Sequence, residues 1–121
     1  MLAKGFVCGL AIPMEKRNLF DGPPVAPGRE HFDLLLETAG FRLERIVSCA
    51  HATPAGEWYD QDHAEWVVLL KGSAGLSIEG EAAIHVLMPG DYLYLPARLR
   101  HRVEWTQAGQ ETIWLALHQQ A

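Results

Sequence analysis

Two short segments concentrate the side chains able to bind a metal or move a proton. The first is Tyr59-Asp-Gln-Asp-His-Ala-Glu65, which leads directly into an apolar run. The second is Arg98-Leu-Arg-His101-Arg102, just after Pro96. Side chains alternate along an extended strand, so residues two apart share a face. A strand beginning near Gln61 sends Gln61, His63, Glu65, Val67 and Leu69 to one side, and its apolar members mark that side as inward. His101, Val103 and Trp105 share a face in the same way. A His and a Glu two residues apart can converge on one metal ion from backbone positions ~7 Å apart. A second histidine from another strand makes a two-His-one-carboxylate set, which leaves positions open and suits Fe(II), with Mn(II), Ni(II) and Zn(II) as competitors.

The expected site is therefore centred on Glu65 and His101, with Gln61 and His63 as further ligands to one divalent transition metal. Tyr59 or His63 is the expected general acid or base. His51 joins the pocket if the strand before it runs that far, and Trp105, on the face of His101, supplies an aromatic wall. Arg98 begins the alternating series Arg98, Arg100, Arg102, whose guanidinium forks match an anionic substrate; the commoner role for such a series is a solvated rim. His85 reads as a strand-surface residue, and His31 and His118 carry no signal.

These side chains must be held by strands. Phe41 to Ser48 alternates apolar and polar residues, the pattern of a half-buried strand. Ala64 to Lys71 is a nearly continuous apolar run closed by Gly72, and Ala74 to Glu79 follows, ending in a Gly80-Glu81 turn. Ala82 to Met88, Tyr92 to Leu95, His101 to Thr106 and Thr112 to His118 complete about seven short strands spaced by turn signals, which is the pattern of an all-β sandwich or barrel. Before them, Asp21 to Gly28 is rich in Gly and Pro and reads as loop. From Arg29 to Thr38, Phe32, Leu35 and Leu36 fall at helical spacing before Gly40, so one short N-terminal helix is expected there.

With 121 residues, 49% of them hydrophobic, the chain is sized for one domain: an arm and short helix over 1–40 and a barrel over 41–118. Fifteen acidic against ten basic residues give a net charge of -5, which argues against a nucleic-acid binder, since such proteins need a basic face. The two cysteines, Cys8 and Cys49, form no CxxC pair and no disulfide framework, and a reducing cytoplasmic setting follows as the expectation. The apolar patches of Met1 to Pro13 are interrupted by two glycines and are not read as a secretory signal. No apolar run approaches the ~20 residues of a membrane helix.

The spacing of glycines and prolines adds a family resemblance. Glu65 followed by Gly72 resembles the closing half of the first cupin motif, and Gly90, Pro96 and His101 resemble the second. Glu57-Trp-Tyr-Asp-Gln61, Glu65-Trp-Val-Val-Leu69, Gly90-Asp-Tyr-Leu93 and His101-Arg-Val-Glu-Trp105 resemble small bacterial cupin-2 barrel proteins. The resemblance covers roughly residues 41–118. It implies a jelly-roll barrel of two antiparallel sheets, a homodimer, and a metal inside the wider end acting on or binding a small organic molecule. Dioxygenase, isomerase and lyase chemistry are all hosted by this fold, as is non-catalytic binding of a metabolite or metal. Three departures from the family pattern stand out: Tyr59 and Gln61 occupy the places of the first motif's two histidines, Arg98 replaces a glycine, and Trp105 replaces an asparagine.

Overall fold

The computed structural model describes residues 14–120; the reading of Met1 to Pro13 as no secretory signal lies outside them. Eight strands make up the fold: β1 (Arg29–Glu37), β2 (Phe41–Cys49), β3 (Glu65–Lys71), β4 (Ala74–Ile78), β5 (His85–Leu87), β6 (Tyr92–Leu95), β7 (His101–Thr106) and β8 (Glu111–Gln119). They form a five-stranded sheet in the order β1-β2-β8-β3-β6 and a three-stranded sheet in the order β5-β4-β7. All pairings are antiparallel. The expected all-β jelly-roll architecture is therefore present, and no helix among the described residues is long and apolar enough to cross a membrane.

The expected short helix is corrected: residues 29–37 are strand β1, paired along its length with β2. The register shifts between Leu34 and Leu36. Such a bulge adds one residue to one strand and breaks the two-residue alternation. Three successive leucines across a bulge thus imitate helical spacing.

The inner faces meet in a core of Val67, Leu69, Ala74, Leu76, Ile78, Leu87, Leu95, Trp114 and Ala116. β3 turns into β4 at Gly72, where φ is +86 and an added Cβ would lie 2.8 Å from the Thr112 backbone. Both facts require glycine there, since a side chain would meet backbone and the left-handed conformation disfavours one. The outer face of β3 and β6 carries Trp66 against Tyr92, ring centroids 5.3 Å apart, with Tyr92 and Tyr94 both exposed.

Candidate functional site

At one end of the barrel the inward positions turn polar and enclose a cavity of about 90 Å³. Glu65 opens β3 and lies directly beside Leu95 of β6 and His118 of β8. It is 8% exposed and accepts a hydrogen bond from the Gln61 amide at 2.9 Å. That bond supplies one of the partners a buried carboxylate requires. Gln61 is held in turn by its own carbonyl, which accepts from the Arg98 backbone N–H at 2.6 Å.

His101 opens β7 and is 6% exposed. Its Nδ1–H donates to the Leu99 carbonyl at 2.9 Å, which leaves Nε2 as the basic nitrogen of the ring. Tyr59 is locked beside it by paired backbone bonds, Tyr59 N–H to the His101 carbonyl at 2.7 Å and the reverse at 3.1 Å. The two rings stack with centroids 5.5 Å apart. Burial, with Glu30, Glu65 and Glu57 nearby, pushes the Tyr59 phenol above its ordinary range. Tyr59 therefore stays protonated, as a hydrogen-bond donor and not a phenolate.

The cavity has further walls that the sequence reading passed over. Glu30 and Phe32 reach it from β1, Glu44 and Ile46 from β2, and Trp114 and His118 from β8. Burial is the leading cause that raises the Glu30 carboxyl, with Glu44 adding to it, against the lowering effects of His51 and the Ser48 hydroxyl. Glu44 accepts from His118 Nε2 at 2.8 Å, and His118 Nδ1 meets His63 Nε2 at 2.9 Å. The Trp114 indole N–H is buried without a partner. A usable signal existed for one of these residues: Trp114, Ala116 and His118 fall at alternate positions, which places His118 on the core face of β8.

The expected ligand set is only partly brought together. Tyr59, Gln61, Glu65 and His101 all line the cavity. β3 begins at Glu65, so Gln61 and His63 lie in the preceding loop and the strand alternation does not extend to them. His63 sits behind the wall, bonded to His118 and, through Nδ1, to Asp62 at 3.2 Å. β2 stops at Cys49, and His51 lies behind Glu30, its Nδ1 3.7 Å from the carboxylate. Arg98 is an exposed rim residue paired with Asp60 at 3.1 Å.

The expected aromatic wall is corrected. Opposite the β4 step from Leu76 to Gly75, β7 passes from Val103 to Trp105, so Glu104 is an extra residue. Trp105 is thereby carried to the outer face, 38% exposed, and its indole lies against Gly75. Thr106 takes the inward place, and Trp114 supplies the aromatic side of the cavity.

These donors do not compose a metal centre. Among the described residues no three His, Cys, Asp or Glu side chains gather where they could hold one ion. Both nitrogens of His118 are engaged, and so are both of His63. Of the histidines that line the cavity only His101 keeps a nitrogen without a partner, and each of the three carboxylates there, Glu30, Glu44 and Glu65, already accepts a hydrogen bond, from Ser48, His118 and Gln61.

No family model matches the chain, and no curated protein does. Solved structures do. A protein from Ralstonia eutropha JMP134, provisionally named a mannose-6-phosphate isomerase, is 48% identical over 88% of this chain and 99% of its own, with a TM-score of 0.83. A cupin superfamily protein from Desulfitobacterium hafniense DCB-2 is 12% identical over 81% of this chain and 84% of its own, at a TM-score of 0.67. The polyketide cyclase RemF from Streptomyces resistomycificus is 20% identical over 77% of this chain and 68% of its own, at 0.65. The last two share the fold alone. Strand order, the Gly72 turn, the inward Glu65 and His101 and these likenesses converge on one conclusion: the chain belongs to the cupin superfamily.

Proposed function

We propose that this cupin binds a small organic molecule inside its barrel and transfers protons on it, as an isomerase or lyase would, with Glu65 and His101 as the acid–base pair. The carrying observation is the tautomer of His101: its Nδ1–H is tied to the Leu99 carbonyl, and the ring therefore presents a lone pair on Nε2. Glu65, buried in the same cavity, is the second proton-exchanging group, and Tyr59 is a neutral donor. Positioned acids and bases of this kind contribute about 10²–10⁴-fold to rate.

The wall chemistry bears on the substrate. Of the residues that line the cavity, three are glutamates and none is lysine or arginine. A phosphorylated sugar would meet carboxylates without a cation or guanidinium fork, which phosphate recognition ordinarily uses. The name of the Ralstonia protein thus supports an isomerase class more than a phosphosugar ligand. An uncharged or cationic molecule with an apolar side fits a wall that also holds Phe32, Ile46, Val67 and Trp114.

The test is a panel of neutral hydroxy-carbonyl compounds, amines and phosphorylated sugars, screened by calorimetric binding and by deuterium uptake into bound ligand from D₂O. Neutral or amine compounds should bind and exchange a carbon-bound hydrogen. Glu65→Gln and His101→Gln should each lower that exchange by about 10²-fold. Binding without exchange would make the protein a non-catalytic binder. Preferential binding of phosphosugars would sink the ligand class, and about one bound transition metal per purified chain would sink the metal-free reading.

A further inference from the structure

Behind the cavity wall, four side chains form one hydrogen-bonded line. Asp62 Oδ1 lies 3.2 Å from His63 Nδ1, His63 Nε2 lies 2.9 Å from His118 Nδ1, and His118 Nε2 lies 2.8 Å from Glu44 Oε1. The line runs from an Asp62 side chain that is 90% exposed, through a His118 side chain that is 5% exposed, to a glutamate on the cavity wall. The two imidazoles also meet edge to face, centroids 5.0 Å apart.

Three hydrogen bonds need three protons. A neutral imidazole brings one, and an ionised carboxylate brings none. Two neutral histidines between two carboxylates therefore fall one proton short of the geometry observed. Choosing other tautomers does not help, because His63 needs a proton toward Asp62, His118 or Glu44 needs one between them, and the two rings need one more. All three bonds at once require one proton beyond the neutral-imidazole, ionised-carboxylate form.

We infer that Asp62, His63, His118 and Glu44 are a proton-exchange path that carries this extra proton between solvent and the cavity. The path is independent of the identity of the ligand and of the roles of Glu65 and His101. With the proton on His63, both its nitrogens donate, and His118 donates through Nε2 to Glu44. Breaking His63 Nε2–H and forming His118 Nδ1–H moves the positive charge to His118. Breaking His118 Nε2–H and forming an O–H bond on Glu44 then leaves both imidazoles neutral and places a carboxylic acid at the cavity. Neither hop requires a heavy atom to change partners. The charged and titratable groups around His118 are Arg42 and Glu44 from β2, Glu65 from β3 and His63 from the loop, and Glu30, Tyr59 and His101 share the cavity with Glu44.

The test uses full-length protein with ring-¹⁵N histidine and side-chain-¹³C glutamate at neutral pH. Long-range ¹H–¹⁵N correlation reads each ring nitrogen, and the carboxyl carbon reads Glu44. Together His63, His118 and Glu44 should carry three protons, and in Glu44→Gln, whose amide supplies the third bond, both rings should read as neutral. Two neutral rings beside an ionised Glu44 in the unsubstituted protein would overturn the inference. Water-to-proton exchange at the His118 ring should slow by ~10-fold or more in His63→Phe, the low side of what a positioned proton donor contributes. Asp62→Asn, at an exposed side chain, should slow the same exchange and serves if His63→Phe does not fold. Unchanged or faster exchange in the folded variant means that the proton is stored and not conducted, which also overturns it.

Discussion

The two ends of the barrel interior are built from the same strands by the same alternation, and they differ in kind. On β3, Leu69 is fully buried among Ala74, Leu76 and Leu87, while Glu65 four residues earlier opens the polar cavity. On β8, Trp114 and Ala116 belong to the core and His118 to the hydrogen-bonded line. On β7, Val103 packs against the core and His101 presents its free nitrogen. Hydrocarbon packing tolerates no gap, so the apolar end fixes where the strands lie. The polar end inherits that placement, and its buried groups persist because they are paired with one another. Apolar packing is concentrated at one end and paired polar groups at the other.

The sharpest way to break this comparison is to change one residue of β3 at each end. Leu69→Ala should cost about 2–5 kcal/mol in chemical denaturation, the range for a leucine removed from a closed core. Glu65→Leu should cost none of that, because a buried carboxylate contributes little net stability and Gln61 can turn toward water. A loss in Glu65→Leu as large as that in Leu69→Ala would mean that the polar end is structural.

A smaller effect depends on pH. Burial holds the Glu30 carboxyl above its ordinary value, so the folded state binds more protons than the unfolded chain as pH rises from the acid side. Stability is therefore present below the ordinary carboxylate range of about 4 and declines as pH climbs through the raised value. Glu30→Gln should raise the melting temperature at pH 7 and leave it unchanged in acid. An equal shift at both pH values would show that the charge is not the cause.

The smallest effect is at the rim. Arg98 has φ +67, the left-handed region, at the position where the cupin pattern has glycine. A non-glycine residue there costs about 1–2 kcal/mol, and the loss of its exposed pair with Asp60 and the freedom of glycine offset part of the gain. Arg98→Gly should leave stability equal or up to about 1 kcal/mol higher, read from the denaturation midpoint. Destabilisation would mean that the side-chain pair with Asp60 outweighs the backbone strain.

Much of the fold was legible because turn residues and two-residue alternation are local signals. The strands from Phe41 onward, the Gly72 turn and the inward Glu65 and His101 could all be read in that way. Two of the misreadings sit at bulges. Leu34 to Leu36 imitated a helix, and the extra Glu104 moved Trp105 to the outside; a bulge is set by the partner strand, which a linear pattern does not contain. The polar wall from β1 and β2 was missed for a related reason. The face bearing Phe41, Leu43 and Val47 looks like the core face, yet the inward face carries Glu44, Ile46 and Ser48. His63 was placed in the cavity by extending β3 backward past its first residue, and it stands one histidine away from it.

The uneven distribution of the four tryptophans gives this protein a ready optical reporter. Trp58 lies beneath the guanidinium groups of Arg100 and Arg102, Trp66 packs on Tyr92 at the outer sheet face, and Trp105 lies over Gly75 on the outside. Trp114 alone lines the cavity, with an indole N–H that has no partner. Replacing the other three by phenylalanine leaves one fluorophore whose emission should move to longer wavelength when an incoming molecule accepts that N–H. A library of unlabelled compounds can then be read against the cavity itself, before any reaction is known.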